Sequence, residues 1–134
     1  MKRCVIADSS AVIRKVAKRF LEQDGWQVSE TETAEETLAA VTNQSPELVL
    51  LDWQLGTTDL IETLRLRDTA HTRARIVYLT TEESRREIRA ALRAGADDYM
   101  LKPFDRASFL AKLMAASGPA TPAPQEHALA APQG

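Results

Sequence analysis

Four apolar residues, Leu48, Val49, Leu50 and Leu51, run without a break into the carboxylate of Asp52, and this stretch constrains the fold more than any other. A run of that length, bounded by Pro46 and Gly56, suits a strand buried on both faces. Such a strand demands elements packed on either side of its sheet. Its carboxyl end is where open α/β sheets bind ligands, so Asp52 is the first candidate for a chemical role. The plainer reading of Asp52 is an acidic residue that ends a strand or caps the next turn.

The rest of the chain supplies the layers that strand needs. Cys4-Val5-Ile6-Ala7 is a second short apolar run, and it stops at Asp8. A serine at position 9 or 10 can cap the helix that follows. There Ile13, Val16, Ala17, Phe20 and Leu21 form one apolar face, with Arg14, Lys15, Lys18 and Arg19 on the wet side. Asp24-Gly25 ends that helix. Residues 26–30 alternate apolar and polar, as a half-exposed strand near a sheet edge would. Thr33 with Glu36 reads as a capping box, and Ala34, Leu38 and Val41 line the apolar side of a second helix.

Beyond Asp52, a third helix is expected over 58–68, with Ile61 and Leu64 inward. Residues 69–73 lead to a strand at 75–79 that ends at Thr80-Thr81. A fourth helix over 84–94 buries Ile88, Ala91 and Leu92 and stops at Gly95. A fifth strand over 99–101 ends at Lys102-Pro103. The last helix runs over 105–116, with Asp105 as N-cap and Leu110, Leu113 and Met114 at helical spacing. Strand then helix, five times over, implies a doubly wound α/β domain with a parallel sheet and right-handed crossovers. That domain occupies 1–117. Residues 118–134 form a Pro/Ala-rich tail, too poor in large apolar side chains to offset the entropy of ordering. A short helical or docking segment is an option around 126–131.

Several function classes fall away on composition. The net charge of −2 gives no electrostatic reason to expect nucleic acid or an anionic membrane as partner. No apolar run approaches the ~20 residues of a membrane span, and no secretory segment follows Lys2-Arg3. A single cysteine, Cys4, excludes an internal disulfide framework and fits a reducing cytoplasm. Gly-rich dinucleotide and P-loop motifs are missing, and no His or Cys stands at a strand end to serve a hydrolase triad.

In a parallel sheet the ends of all five strands open on one edge. Asp8, Asp52, Thr80 and Lys102 therefore gather over the central strands. Singly they read as a cap, a strand terminator, a turn residue and a surface charge. Together, two carboxylates suit a hard divalent cation such as Mg²⁺ that keeps several waters. Asp52 can attack phosphorus to form an aspartyl phosphate. The Lys102 ammonium and Thr80 hydroxyl meet the charge of the transferring phosphoryl group.

Over residues 1–117 the chain resembles the receiver domains of bacterial two-component response regulators. The resemblance rests on Ala7-Asp8-Ser9-Ser10, Leu50-Leu51-Asp52-Trp53, Thr80-Thr81 and the run Gly95-Ala96-Asp97-Asp98-Tyr99-Met100-Leu101-Lys102-Pro103-Phe104. It implies a five-stranded flavodoxin-like sheet of order 2-1-3-4-5. It implies Asp52 as phosphoacceptor, fed from a phosphohistidine on a sensor histidine kinase or histidine phosphotransferase. Mg²⁺ would be held by Asp8 and Asp52 and by the backbone carbonyl of Gln54. Thr80 and Tyr99 would move on phosphorylation, and Lys102 would pair with the acceptor. Pro103 would follow a cis peptide. A downstream protein would dock on the fourth helix, fifth strand and fifth helix, where Thr81 lies close by and Arg85, Arg86, Arg89 and Arg93 make the helix basic. The implied protein is a cytoplasmic, stand-alone switch, monomeric or dimerising on phosphorylation, and not an enzyme beyond its own phosphorylation and dephosphorylation.

Three residues depart from that pattern. The family usually has a second acid where Ala7 stands, which holds the metal through water, so weakened Mg²⁺ binding is expected. Gly56 replaces a usual Pro and Leu60 a usual Gly, in the segment after Asp52. Ala7 also leaves open a pseudo-receiver that binds partners constitutively without phosphorylation. A phosphohydrolase with an Asp nucleophile would want an acid two residues on, where this chain has Gln54.

Overall fold

A computed structural model describes residues 2–69 and 73–117. Within them the elements run β1 (Arg3–Ala7), α1 (Ala11–Gln23), β2 (Gln27–Thr31), α2 (Ala34–Gln44), β3 (Leu48–Asp52) and α3 (Thr58–Leu66). They continue through β4 (Arg75–Thr80), α4 (Ile88–Ala94), β5 (Asp98–Leu101) and α5 (Arg106–Ser117). The strands are parallel and ordered β2-β1-β3-β4-β5, as the resemblance implied. The tail, residues 118–134, with the optional segment at 126–131, lies outside the described residues. So do 70–72 of the connector before β4.

The unbroken apolar runs are explained by two cores. Successive side chains of a strand point to opposite faces. Cys4, Ile6, Leu48, Leu50, Val77 and Leu79 therefore meet Ala17 and Leu21 of α1 and Phe109 and Leu113 of α5. Ala7, Val49, Leu51, Ile76 and Tyr78 meet Ile61 and Leu64 of α3 and Ile88 and Ala91 of α4. Every residue of β3 is buried. At about 1.5–3 kcal/mol for each large side chain taken out of water, this strand alone anchors both layers. Among the described residues no helix is long and apolar enough to cross a membrane.

Several sequence expectations need correcting. Residue 26 does not begin β2: the Trp26 N–H donates to Leu21 O, wrapping the end of α1 around Gly25, whose φ is +88°. Arg14 is not on the wet face, since its side chain is only 13% exposed and lies against Glu30 of β2. Helix α3 stops at Leu66 because the Asp68 N–H turns back to Arg65 O. The fourth helix does not start at residue 84. A 3-10 segment occupies Glu82–Glu87, and Ser84 leaves helical geometry there (φ −104°, ψ 15°). Ser84 is buried, donates its N–H to Thr81 O, and takes side-chain contacts from Thr80 and Thr81. Such local bonds compete with the α ladder and leave α4 seven residues long. Its Leu92 is only partly buried.

In α5, Met114 is 74% exposed, whereas Phe109 is fully buried beside Phe20 and Phe104, with ring centroids 5.4 and 4.9 Å away. Phe109 and Leu113, four residues apart, define the inward stripe, and Met114 stands about 100° further round the helix. Of the two serines that could cap α1, Ser10 does so, and the caps expected at Thr33 and Asp105 form: each accepts the backbone N–H three residues on. Glu36 reaches back past Thr33 to accept from Glu32 N–H.

Candidate functional site

The parallel register brings the strand ends level. Ala7 lies beside Leu51, Asp52 beside Leu79, and Thr80 beside Leu101. Asp8 follows β1 directly and Asp52 is the last residue of β3. Lys102 follows β5, its N–H donating to Thr80 O at 2.7 Å. Asp8 and Asp52 are each 1% exposed. The Lys102 ammonium donates to Asp52 Oδ1 at 2.6 Å and to Asp8 Oδ2 at 3.0 Å, tying three strand ends through one cation. The Lys102–Pro103 peptide that follows is cis.

The free carboxylate oxygens are also held. Asp8 Oδ1 accepts from Ser10 N–H at 2.8 Å, and Asp52 Oδ2 from Gln54 N–H at 3.3 Å. Gln54 is exposed, and its side-chain oxygen accepts from the Ser9 hydroxyl at 3.4 Å. Burial pushes the Asp52 carboxyl above its ordinary range, and the Asp8 charge adds to that, against the pull of Lys102. Burial works to lower the Lys102 ammonium, but its bonds to Asp52 and Asp8 outweigh it and hold the group above its usual value. Two buried carboxylates thus share one ammonium, and an excess of negative charge is left over. A hard cation coordinated by oxygen fits such a donor set. The candidates for holding it are Asp8, Asp52 and the Gln54 carbonyl. Among the described residues no third His, Cys, Asp or Glu joins them.

The remaining candidates are placed as follows. Thr80 is fully buried at the end of β4, and its hydroxyl donates to Ser84 O at 3.4 Å. Thr81 is half-buried, its hydroxyl 3.4 Å from that of Ser84. Tyr99 is half-buried in β5, with the Lys112 ammonium 4.8 Å from its ring centroid. Arg86, Arg89 and Arg93 are exposed along one side of the 3-10 segment and α4. The Arg85 side chain lies outside what the structure describes. Pro103 is exposed beside the site.

Each departure from the family pattern has a structural counterpart. Ala7 is fully buried in the α3–α4 core. At Gly56 an added Cβ would lie 2.7 Å from Leu51 Cγ, and the Gly56 N–H donates to Asp52 O at 2.6 Å. A proline at that position could not make this bond. Leu60 is 8% exposed and belongs to the same core.

Three residues near the site were not marked by sequence reasoning. The Arg14 guanidinium donates to Asp8 O at 2.7 Å. Helical periodicity puts Arg14 on the polar arc of α1, and no spacing in the sequence pairs it with Asp8 or with Glu30. Ser84 anchors the hydroxyls after β4. The Tyr78 phenol is pushed up to about 12, by burial first and then by the charges of Glu87 and Asp52. No spacing in the sequence announces that.

Comparison with known proteins gives the family and the fold. Residues 4–114 match the family described as the response regulator receiver domain. The chain is similar to the phosphate regulon transcriptional regulatory protein PhoB of Pseudomonas aeruginosa, at 34% identity over 116 residues. It is similar also to the KDP operon transcriptional regulatory protein KdpE of Escherichia coli, at 36% identity over 117 residues. These alignments cover 85% and 87% of this chain and 51% of each relative, so the chain spans about half the length of the curated relatives it matches. In fold it is similar to the chemotaxis response regulator CheY4 of Vibrio cholerae. That superposition has a TM-score of 0.77 at 22% identity and covers 87% of this chain and 98% of the other.

Proposed function

Because the chain belongs to the response regulator receiver domain family, we propose that it is a phosphoacceptor switch with Asp52 as the acceptor. The observation that carries this reading is the shared ammonium: Lys102 bonded at once to Asp52 and Asp8, both buried at the carboxyl edge of the sheet. A carboxylate poised there can attack the phosphorus of a phosphohistidine on a sensor kinase or histidine phosphotransferase. An Asp52 oxygen–phosphorus bond forms, the phosphorus–nitrogen bond breaks, and the leaving imidazole takes up a proton. Lys102 meets the charge of the phosphoryl oxygens. The Thr80 hydroxyl, released from Ser84 O, supplies a further hydrogen bond. Phosphoryl transfer depends chiefly on positioning and charge neutralisation of this kind. Mg²⁺, held by Asp8, Asp52 and the Gln54 carbonyl, supplies further neutralisation when bound.

With Ala7 in place of a second acid, the donor set is one carboxylate short of the family's usual complement, so Mg²⁺ binds more weakly than in receivers with both. Output passes to a protein partner on the face of α4, β5 and α5, where Tyr99, Arg86, Arg89 and Arg93 stand, with or without phosphorylation-dependent dimerisation. The chain catalyses at most its own phosphorylation and dephosphorylation.

The test is labelling by acetyl phosphate or a phosphorylated kinase with Mg²⁺ present. Wild type takes the label and Asp52→Ala does not; no labelling of wild type, or equal labelling of both, overturns the reading. The buried alanine at position 7 favours one other reading, a pseudo-receiver that binds its partner without phosphorylation. It would show as partner affinity unchanged by Asp52→Ala but lost on substituting Arg86 and Arg89.

A further inference from the structure

We propose that Arg14 is a positioning residue for the acceptor site, holding Asp8 where it can share a cation with Asp52. The inference rests on the phosphoacceptor reading and extends it to a residue outside the strand ends. Every polar group of Asp8 is engaged. Its N–H donates to Thr31 O at 3.1 Å, Oδ1 accepts from Ser10 and Oδ2 from Lys102. The backbone carbonyl accepts from Arg14 Nη1 at 2.7 Å. Of these four, the last comes from a side chain anchored outside the site itself.

The anchor is built with some elaboration. Arg14 Nε donates to Glu30 Oε1 at 2.9 Å, and Nη1 lies 3.7 Å from Glu32 Oε2. The second Glu30 oxygen faces Lys15 at 3.0 Å and Lys18 at 3.6 Å. Glu30 therefore stands fixed among three cations, and it fixes the guanidinium that it pairs with. Both side chains are largely buried, Arg14 to 13% exposure and Glu30 to 17%. The planar guanidinium presents donors in a rigid fork, so one end can be pinned on β2 while the other sets the β1–α1 turn. Lysine has the charge but not the fork.

The arrangement matters more here than in a site with two acids after β1. Ala7 leaves Asp8 as the only carboxylate from that strand end, so an error in its placement has no neighbour to absorb it. Groups that orient a metal ligand without touching the metal commonly change affinity by about 10–100-fold when removed. For Arg14→Ala we expect a Mg²⁺ midpoint about tenfold higher than wild type, at the low end of that range because three of the four holds on Asp8 remain. Arg14→Lys is expected to recover only a small part of the loss.

The experiment has two readouts on the folded full chain. Mg²⁺ titrations followed by Trp53 fluorescence give the midpoint for wild type, Arg14→Ala and Arg14→Lys. Amide exchange in the absence of metal follows Ser10 N–H, bonded to Asp8, against Phe109 N–H in the core as reference. The proposal expects a raised Mg²⁺ midpoint and faster exchange at Ser10 with Phe109 unchanged. A merely structural role would lower melting temperature and move neither. An unchanged Mg²⁺ midpoint, unchanged Ser10 exchange, or full rescue by lysine overturns it. If Arg14→Ala does not fold, Arg14→Lys carries both measurements. A wild type that ignores Mg²⁺ would overturn the proposed function, and Ser10 exchange would still decide whether Arg14 positions Asp8.

Discussion

Lys102→Met tests the electrostatics of the strand edge. The methionine keeps much of the aliphatic stem and removes the ammonium, which lies 2.6 Å from Asp52 and 3.0 Å from Asp8. Two carboxylates, each 1% exposed, then face one another with no cation between them. Breaking a buried ion pair by removing one partner costs about 3–5 kcal/mol. For a domain of this size, 1 kcal/mol moves the melting temperature by roughly 4 °C, so a fall of about 12–20 °C is expected in metal-free buffer at pH 8. The loss must depend on pH. The Asp52 carboxyl is already above its ordinary value because of burial and Asp8, and loss of Lys102 raises it further. A group whose folded value is raised contributes stability below its unfolded value and loses it as pH rises through the folded one. The variant should therefore approach wild type toward pH 5 and fall away from it as pH rises. Thermal melts by circular dichroism across pH 5–8, with chelator present, give the comparison. A deficit independent of pH, or none at pH 8, would mean that Lys102 does not offset the charges of Asp52 and Asp8.

Asp52→Asn should raise the metal-free melting temperature at pH 7.5, since it removes a carboxyl that burial and the Asp8 charge disfavour in its ionised form; a lower melting temperature would contradict it. Gly56→Ala should cost about 1–3 kcal/mol in denaturant unfolding, because the new Cβ meets Leu51 and the loop cannot yield without disturbing Asp52 O. Ala7→Asp should lower the Mg²⁺ midpoint at Trp53 while reducing metal-free stability, because a third carboxylate enters a buried edge. A midpoint equal to wild type would show that the missing acid is not what limits metal affinity.

Much of this fold could be read from residue order, and the reasons lie in particular segments. The run Leu48–Leu51 has one explanation, burial on both faces, and that forces helices onto both sides of a parallel sheet. The strand ends then place Asp8, Asp52 and Lys102 together without any knowledge of side-chain geometry. What could not be read depended on tertiary partners. Arg14 sits on the polar arc of α1 by periodicity, and only β2 bringing Glu30 alongside draws it inward. Met114 and Phe109 fit helical spacing equally well, and the aromatic cluster with Phe20 and Phe104 decides which turns in. The segment at Glu82–Glu87 has helical composition, but hydroxyl and backbone contacts at Ser84 tighten it into a 3-10 turn. Trp26 fits the alternation of β2, yet the exit of α1 claims its N–H first.

On the proposed function, Asp52 itself carries the phosphoryl group. Borohydride reduces an acyl phosphate to an alcohol and leaves an ordinary carboxylate untouched, so treatment of protein incubated with acetyl phosphate and Mg²⁺, followed by peptide mapping, marks the acceptor chemically. Homoserine is expected at position 52, with aspartate intact at positions 8 and 59. Intact aspartate at 52 in protein that has taken up phosphoryl label would contradict it.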